Sequence, residues 1–184
     1  MDNTTENQLF ALFERQQSLW QQQRQSLPQQ RFDSEWISPC QVGKPQEGKI
    51  EWAAVKRTPP VDLSNIEQAL DVQLHPSIAA LLCSAYADCI PCLFDGHHIE
   101  LIQAWNEADF KLLQENMVGH FLMQKRLKKP TSMFIASCSD EMQIISILNA
   151  TGQVQLETLG KGQEAILAEN VADFLALLEP TIIE

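Results

Sequence analysis

The sequence predicts an α+β fold: a single domain with an antiparallel or mixed sheet and helices packed against it. Three observations point there. Capping residues precede apolar stripes of helical spacing. Short β-prone runs are joined by tight-turn signals, which favour hairpins. The element order is helix, strands, two helices, strands, long helix, three strands, helix. With 184 residues, 45% of them hydrophobic, the chain can fill one core but not comfortably two. Residues 1–184 are therefore read as one domain.

Thr5-x-x-Gln8 is a capping-box pattern opening an N-terminal helix within 1–27. Phe10, Phe13 and Trp20 share one face, with Leu9 and Leu19 beside them. The other face is glutamine-rich, from Gln16 to Gln25. Leu27-Pro28 stops the helix. Segment 29–49 holds Pro39, Gly43, Pro45 and Gly48 and reads as loop-rich, with at most a short strand near 36–42. Residues 50–55 read as a strand ended by Pro59-Pro60.

Ser64-x-x-Glu67 is a second capping box, heading a short helix to about Asp71. His75 helps start the next helix, with Pro76 in its first turn, running over 77–87. Phe94-Asp95-Gly96-His97 is a hairpin turn, continued by a strand over 99–104. Asn106 caps a long helix containing Phe110, Leu113, Met117 and Phe121, closed by Pro130. Residues 133–137 form a strand, and 143–148 and 153–159 a hairpin around Asn149 to Gly152. Gly160-Lys161-Gly162 is loop. A last helix starts at Asn170 with Val171, Phe174, Leu175 and Leu178 inward.

Charge is distributed unevenly. The net charge is −11, which repels nucleic-acid phosphates and anionic lipid headgroups as primary ligands and suits a basic partner. Residues 62–115 hold nine acids and one base, Lys111. Residues 116–139 hold four bases and no acid, at Lys125, Arg126, Lys128 and Lys129. Cations at a helix C-terminus favour the dipole, which accounts for this basic end structurally. Glu67, Glu107 and Asp109 fall in first turns of helices and have the same kind of explanation.

Candidate chemistry is sparse. Cys89-Ile90-Pro91-Cys92, with Cys83, His97 and His98 nearby, suggests a thiol or metal site. The motif follows a helix and enters a strand, the reverse of a thioredoxin-like site, and His97-His98 lack the spacing of a zinc pair. The five thiols, with no apolar leader after Met1-Asp2, read as reduced cysteines of a cytosolic domain. His120 reads as a packed histidine. No nucleophile elbow, phosphate-binding loop or dinucleotide fingerprint is present. The residues thus favour a binding protein over an enzyme, with no catalytic, cofactor or metal residues assigned.

Several strings carry a family resemblance. Ala104-Trp105-Asn106-Glu107-Ala108-Asp109-Phe110, Gln114 to His120, Gln124-Lys125-Arg126-Leu127-Lys128 and Phe134-Ile135-Ala136 resemble Syd, the SecY-interacting protein family of bacteria. Ser38-Pro39-Cys40 and Glu157-Thr158-Leu159-Gly160 fit the same pattern. Ile66-Glu67-x-x-Leu70 with Leu74-His75-Pro76 is similar to the opening helices of the wider SUKH superfamily, many of whose members are immunity proteins. The resemblance implies a SUKH-like domain on the cytoplasmic face of the inner membrane. Its partner would be SecY of SecYEG, its surface acidic and concave, and its role to monitor or modulate the channel's assembly state. Basic cytoplasmic loops suit such a partner. No nucleic-acid or direct lipid binding is expected. The rivals are an immunity protein for a basic toxin and a thiol or metal enzyme on Cys83, Cys89, Cys92 and His97.

Four carboxylates are proposed as a partly shared partner-binding surface: Asp71, Asp88, Asp95 and Glu100. Asp88 and Asp95 lie in loop or turn segments. Asp71 ends a helix, where an anion opposes the dipole. Glu100 stands between Ile99 and Leu101, so it points to the opposite face of its strand.

Overall fold

The computed structural model describes residues 3–183. Met1 and Asp2, on which the absence of a leader was partly read, and Glu184 lie outside the described residues. The elements are α1 (Asn3–Arg24), β1 (Gln29–Arg31), β2 (Gln41–Gln46), β3 (Lys49–Trp52), β4 (Val55–Lys56), α2 (Ser64–Leu70), α3 (Pro76–Leu82) and β5 (Ala85–Tyr86). There follow β6 (Ile90–Phe94), β7 (His97–Leu101), α4 (Glu107–Arg126), β8 (Ser132–Cys138), β9 (Gln143–Leu148), β10 (Val154–Thr158), β11 (Gly162–Ala168), α5 (Val171–Leu177) and β12 (Glu179–Pro180).

The main sheet has the order β11-β10-β9-β8-β7-β6-β12, and every neighbouring pair is antiparallel. This is the expected α+β architecture. The β6–β7 turn is at Asp95-Gly96, both at positive φ, as a two-residue hairpin requires. Helix α4 packs on β8, α5 on β11, and α1 against α3 and α5. One core joins Leu9 and Leu12 of α1 to Ile78, Leu101, Phe110, Met117 and Phe174. Phe94 and Phe174 tie sheet to helix, with ring centroids 5.2 Å apart.

Caps behave differently at each helix. Asn106 and Asn170 accept the backbone N–H of Asp109 and Asp173, as their spacing predicts. His75 caps α3 through its ring, accepting the N–H of Ser77. Neither predicted capping box begins at the N-cap of its helix. Helix α1 already runs from Asn3, and Thr5 lies inside it, buried, one turn before Leu9 on the inward stripe. That stripe continues through Leu12, Phe13 and Gln16, so Gln16 faces the core and not the glutamine-rich outside. At α2 the cap is Leu63, without a side-chain bond; Asp62 holds Ser64, and Glu67 instead accepts the N–H of Leu74 at 2.8 Å.

Just over half of segment 29–49 is loop, but ten of its 21 residues are strand, more than the one short strand expected. It supplies two strands and the start of β3, in a three-stranded sheet of order β1-β3-β2. Backbone pairing holds it, with almost no apolar alternation to betray it in sequence. Gly43, at positive φ, and Pro45 sit in a register shift of the edge strand β2, where a bulge tolerates both. Helix α3 stops at Leu82, because Ala85 and Tyr86 pair with β4. Residues 162–168, of which the sequence assigns only Gly162, to a loop, form the edge strand β11.

Candidate functional site

Asp88 and Glu100 meet in one hollow of about 230 Å³. The hairpin register explains the meeting. Pro91 pairs with Glu100, so Asp88, just ahead of β6, lies at the same open end of the hairpin. Glu100 is exposed between buried Ile99 and Leu101, as strand alternation predicts. Trp20 and Gln16 of α1, Pro28, Trp52 and Pro91 form the surrounding walls.

The electrostatics of Asp88 are unusual. Burial pushes its carboxyl up from 3.8 to about 6; a hydrogen bond from the Cys89 N–H opposes this, and the nearby Glu100 and Asp109 carboxylates add to it. Asp109 accepts the Trp105 N–H at 2.8 Å. Among the described residues no lysine or arginine forms an ion pair with Asp88, Glu100 or Asp109. Asp88 thus feels two further carboxylates, and among the described residues no cation is paired with any of the three. Asp109 was missed because its first-turn position explained it. Its signal is the Asn106-x-x-Asp109 spacing, which turns the carboxylate back over the helix start.

Trp105 links this site to the neighbouring loop. Its indole N–H donates to the Trp36 carbonyl at 3.1 Å, and Asn106 donates to the Ile37 carbonyl at 2.8 Å. Trp36 and Ile37 are thereby held exposed.

The other two candidates lie elsewhere. Asp95 is at the closed tip of the β6–β7 hairpin, in a mostly apolar hollow of about 470 Å³ with His97, His98 and Asp140. Five residues of strand put it about 17 Å from Glu100. Asp71 ends α2 in the left-handed conformation, in a hollow of about 450 Å³ with Lys125, Lys128 and Lys129. The four carboxylates are thus one pair and two separate residues.

Glu107 has a partner. Arg57, buried between the rings of Tyr86 and Phe110 at 4.3 and 4.1 Å, meets Glu107 at 3.0 Å. The cysteines are poorly placed for thiol chemistry. Burial pushes Cys83, Cys89 and Cys92 to about 12, so the nucleophilic thiolate is scarce at neutral pH. Cys92 is fully buried while His97 is exposed at the hairpin tip. Among the described residues, no group of three His, Cys, Asp or Glu is placed to hold a metal ion. His120 packs edge-on against Phe134 at 5.3 Å, and burial lowers its pKa.

These features define an antiparallel α+β domain with a hollow lined by Asp88, Glu100 and Trp20. The model of the family described as Syd protein (SUKH-2) matches residues 6–180. The Protein Syd of Psychromonas ingrahamii is 65% identical over 184 residues, covering all of both chains. That of Aeromonas hydrophila is 40% identical over 156 residues, 85% of this chain and 86% of the relative. That of Cronobacter sakazakii is 37% identical over 185 residues, 99% and 100% of the two chains. The chain belongs to the Syd family.

Proposed function

We propose that this chain is a binding protein, not an enzyme, that docks on SecY at the cytoplasmic face of the inner membrane and monitors or modulates the assembly of SecYEG. The observation that carries this reading is the convergence of Asp88 and Glu100, backed by Asp109, in a groove where no cation among the described residues pairs with them. Cytoplasmic loops of membrane proteins are enriched in lysine and arginine. Such a loop would relieve the carboxylate repulsion and be steered in by the local field. Trp20, part-exposed in the wall, offers a ring face to the incoming cations. No helix among the described residues is long and apolar enough to cross a membrane, which fits peripheral attachment through a partner.

Co-purification tests the proposal. The chain, immobilised, should retain detergent-solubilised SecYEG, and D88N/E100Q should release it. Absence of SecY at low salt, or its undiminished retention by the variant, would contradict this assignment.

A further inference from the structure

Four of the chain's 13 bases gather at the opposite end of α4 from the groove of Asp88 and Glu100. Asp109 is in the first turn of this 20-residue helix, and Lys125, Arg126, Lys128 and Lys129 lie at or beyond its end. At 1.5 Å per residue, the two charge centres are about 25–30 Å apart. The basic end is rigidly built. Lys128 takes a left-handed φ of 54°, and the Lys129 N–H returns to the Gln124 carbonyl at 2.9 Å, a Schellman-type closure.

Exposed aliphatic side chains are interleaved with these bases. Leu122, Met123 and Leu127 are 52%, 61% and 52% exposed. At about 100° per residue, Lys125, Leu122, Arg126, Met123 and Leu127 follow one another around the outward face. Lys125, Lys128 and Lys129 also line the hollow that holds Asp71. Among the described residues none of the four bases forms an ion pair. Helix-dipole complementarity accounts for Lys125 and Arg126. It does not account for the exposed aliphatics, or for Lys128 and Lys129 beyond the last turn.

We propose that the C-terminal end of α4 is a docking surface for an anionic lipid membrane. Bases reach the headgroup phosphates while leucine and methionine enter the boundary with the acyl chains. Net charge argues against lipid contact only if the whole chain acts at once. At physiological ionic strength, exposed charges more than about 8–10 Å apart are largely screened, so the acidic groove has little influence here. A nucleic acid fits less well: the face has no exposed aromatic ring for base stacking, and its aliphatics would go unused.

The test uses the full chain and protein-free vesicles, so its outcome is separate from that of the SecY proposal. At physiological salt the protein should sediment with vesicles of phosphatidylcholine and phosphatidylglycerol, but not with phosphatidylcholine alone. Each base near an anionic surface contributes about fivefold in partitioning, so K125Q/K128N/K129Q should lose about 100-fold. L122S/M123S should also weaken sedimentation, at an unchanged melting temperature. D88N/E100Q should sediment as the parent does. No preference for anionic vesicles would overturn the proposal, as would full sedimentation of the lysine variant or displacement of the protein from vesicles by single-stranded RNA.

Discussion

Replacing Asp88 with Asn should stabilise the protein at neutral pH while weakening partner binding. The folded state raises Asp88 from 3.8 to about 6, chiefly by burial. The unfolded chain therefore loses this proton first as pH rises, and native stability falls through the window from about 4 to about 6. Above that window the cost is complete. At about 1.4 kcal/mol per pH unit, the upper bound is about 3 kcal/mol. The Asn side chain can still accept the Cys89 N–H, and water reaches the groove, so about 1–2 kcal/mol is the expected gain. Urea unfolding at pH 7 and at pH 3.5 measures it. The gain should be present at pH 7 and absent at pH 3.5, where the carboxyl is mostly protonated in both states. A variant no more stable than the parent at pH 7, or equally stabilised at both pH values, would refute the reasoning. The expected outcome is a residue that costs stability and serves binding.

Three further outcomes follow from the geometry. Affinity for SecYEG should fall clearly between about 50 mM and about 500 mM salt, since exposed charges are screened; calorimetric titration showing no change would assign the binding to apolar contact. C89S/C92S should bind normally but lose about 1–3 kcal/mol in urea unfolding, because a hydroxyl at fully buried Cys92 is costly without a hydrogen bond; lost binding at unchanged stability would give the C-x-x-C a functional role. Gly152→Ala should cost about 1–3 kcal/mol, because its φ is 78° and the new methyl would stand 2.4 Å from the His75 ring that caps α3; an unchanged urea midpoint would contradict that reading.

Where local chemistry decides the structure, the sequence is readable. Asn106, Asn170 and the Asp95-Gly96 turn act within a few residues, and Phe110, Leu113, Met117 and Phe121 all turn inward on α4 as their spacing predicts. Strands held by distant backbone partners, or lacking an apolar alternation, are not readable. β1 pairs with β3 across about twenty residues, and β11 is an edge strand whose Gln163, Glu164, Ala165 and Ile166 are all exposed. The same contrast governs the candidate site. Glu100 could be placed on its strand face, but its pairing with Asp88 needs the hairpin register. Asp95 is near Glu100 in sequence and far from it in space, because an extended strand separates them. Asp71 joins the basic end of α4, a neighbour that only the packing of α2 on α4 reveals.

The acidic groove is tested most directly by comparing two charge reversals of equal size. Asp88 and Glu100 share the groove, whereas Glu169 and Asp173 flank the cap of α5, where Asp173 hydrogen-bonds Asn170 and Glu169 hydrogen-bonds Gln153. Both D88K/E100K and E169K/D173K change the net charge by four. Affinity for purified SecYEG in detergent should drop by more than about 30-fold for the first, as expected when a close charge pair is reversed, and by less than about threefold for the second. Equal losses in the two variants would mean that net charge, and not this groove, governs binding.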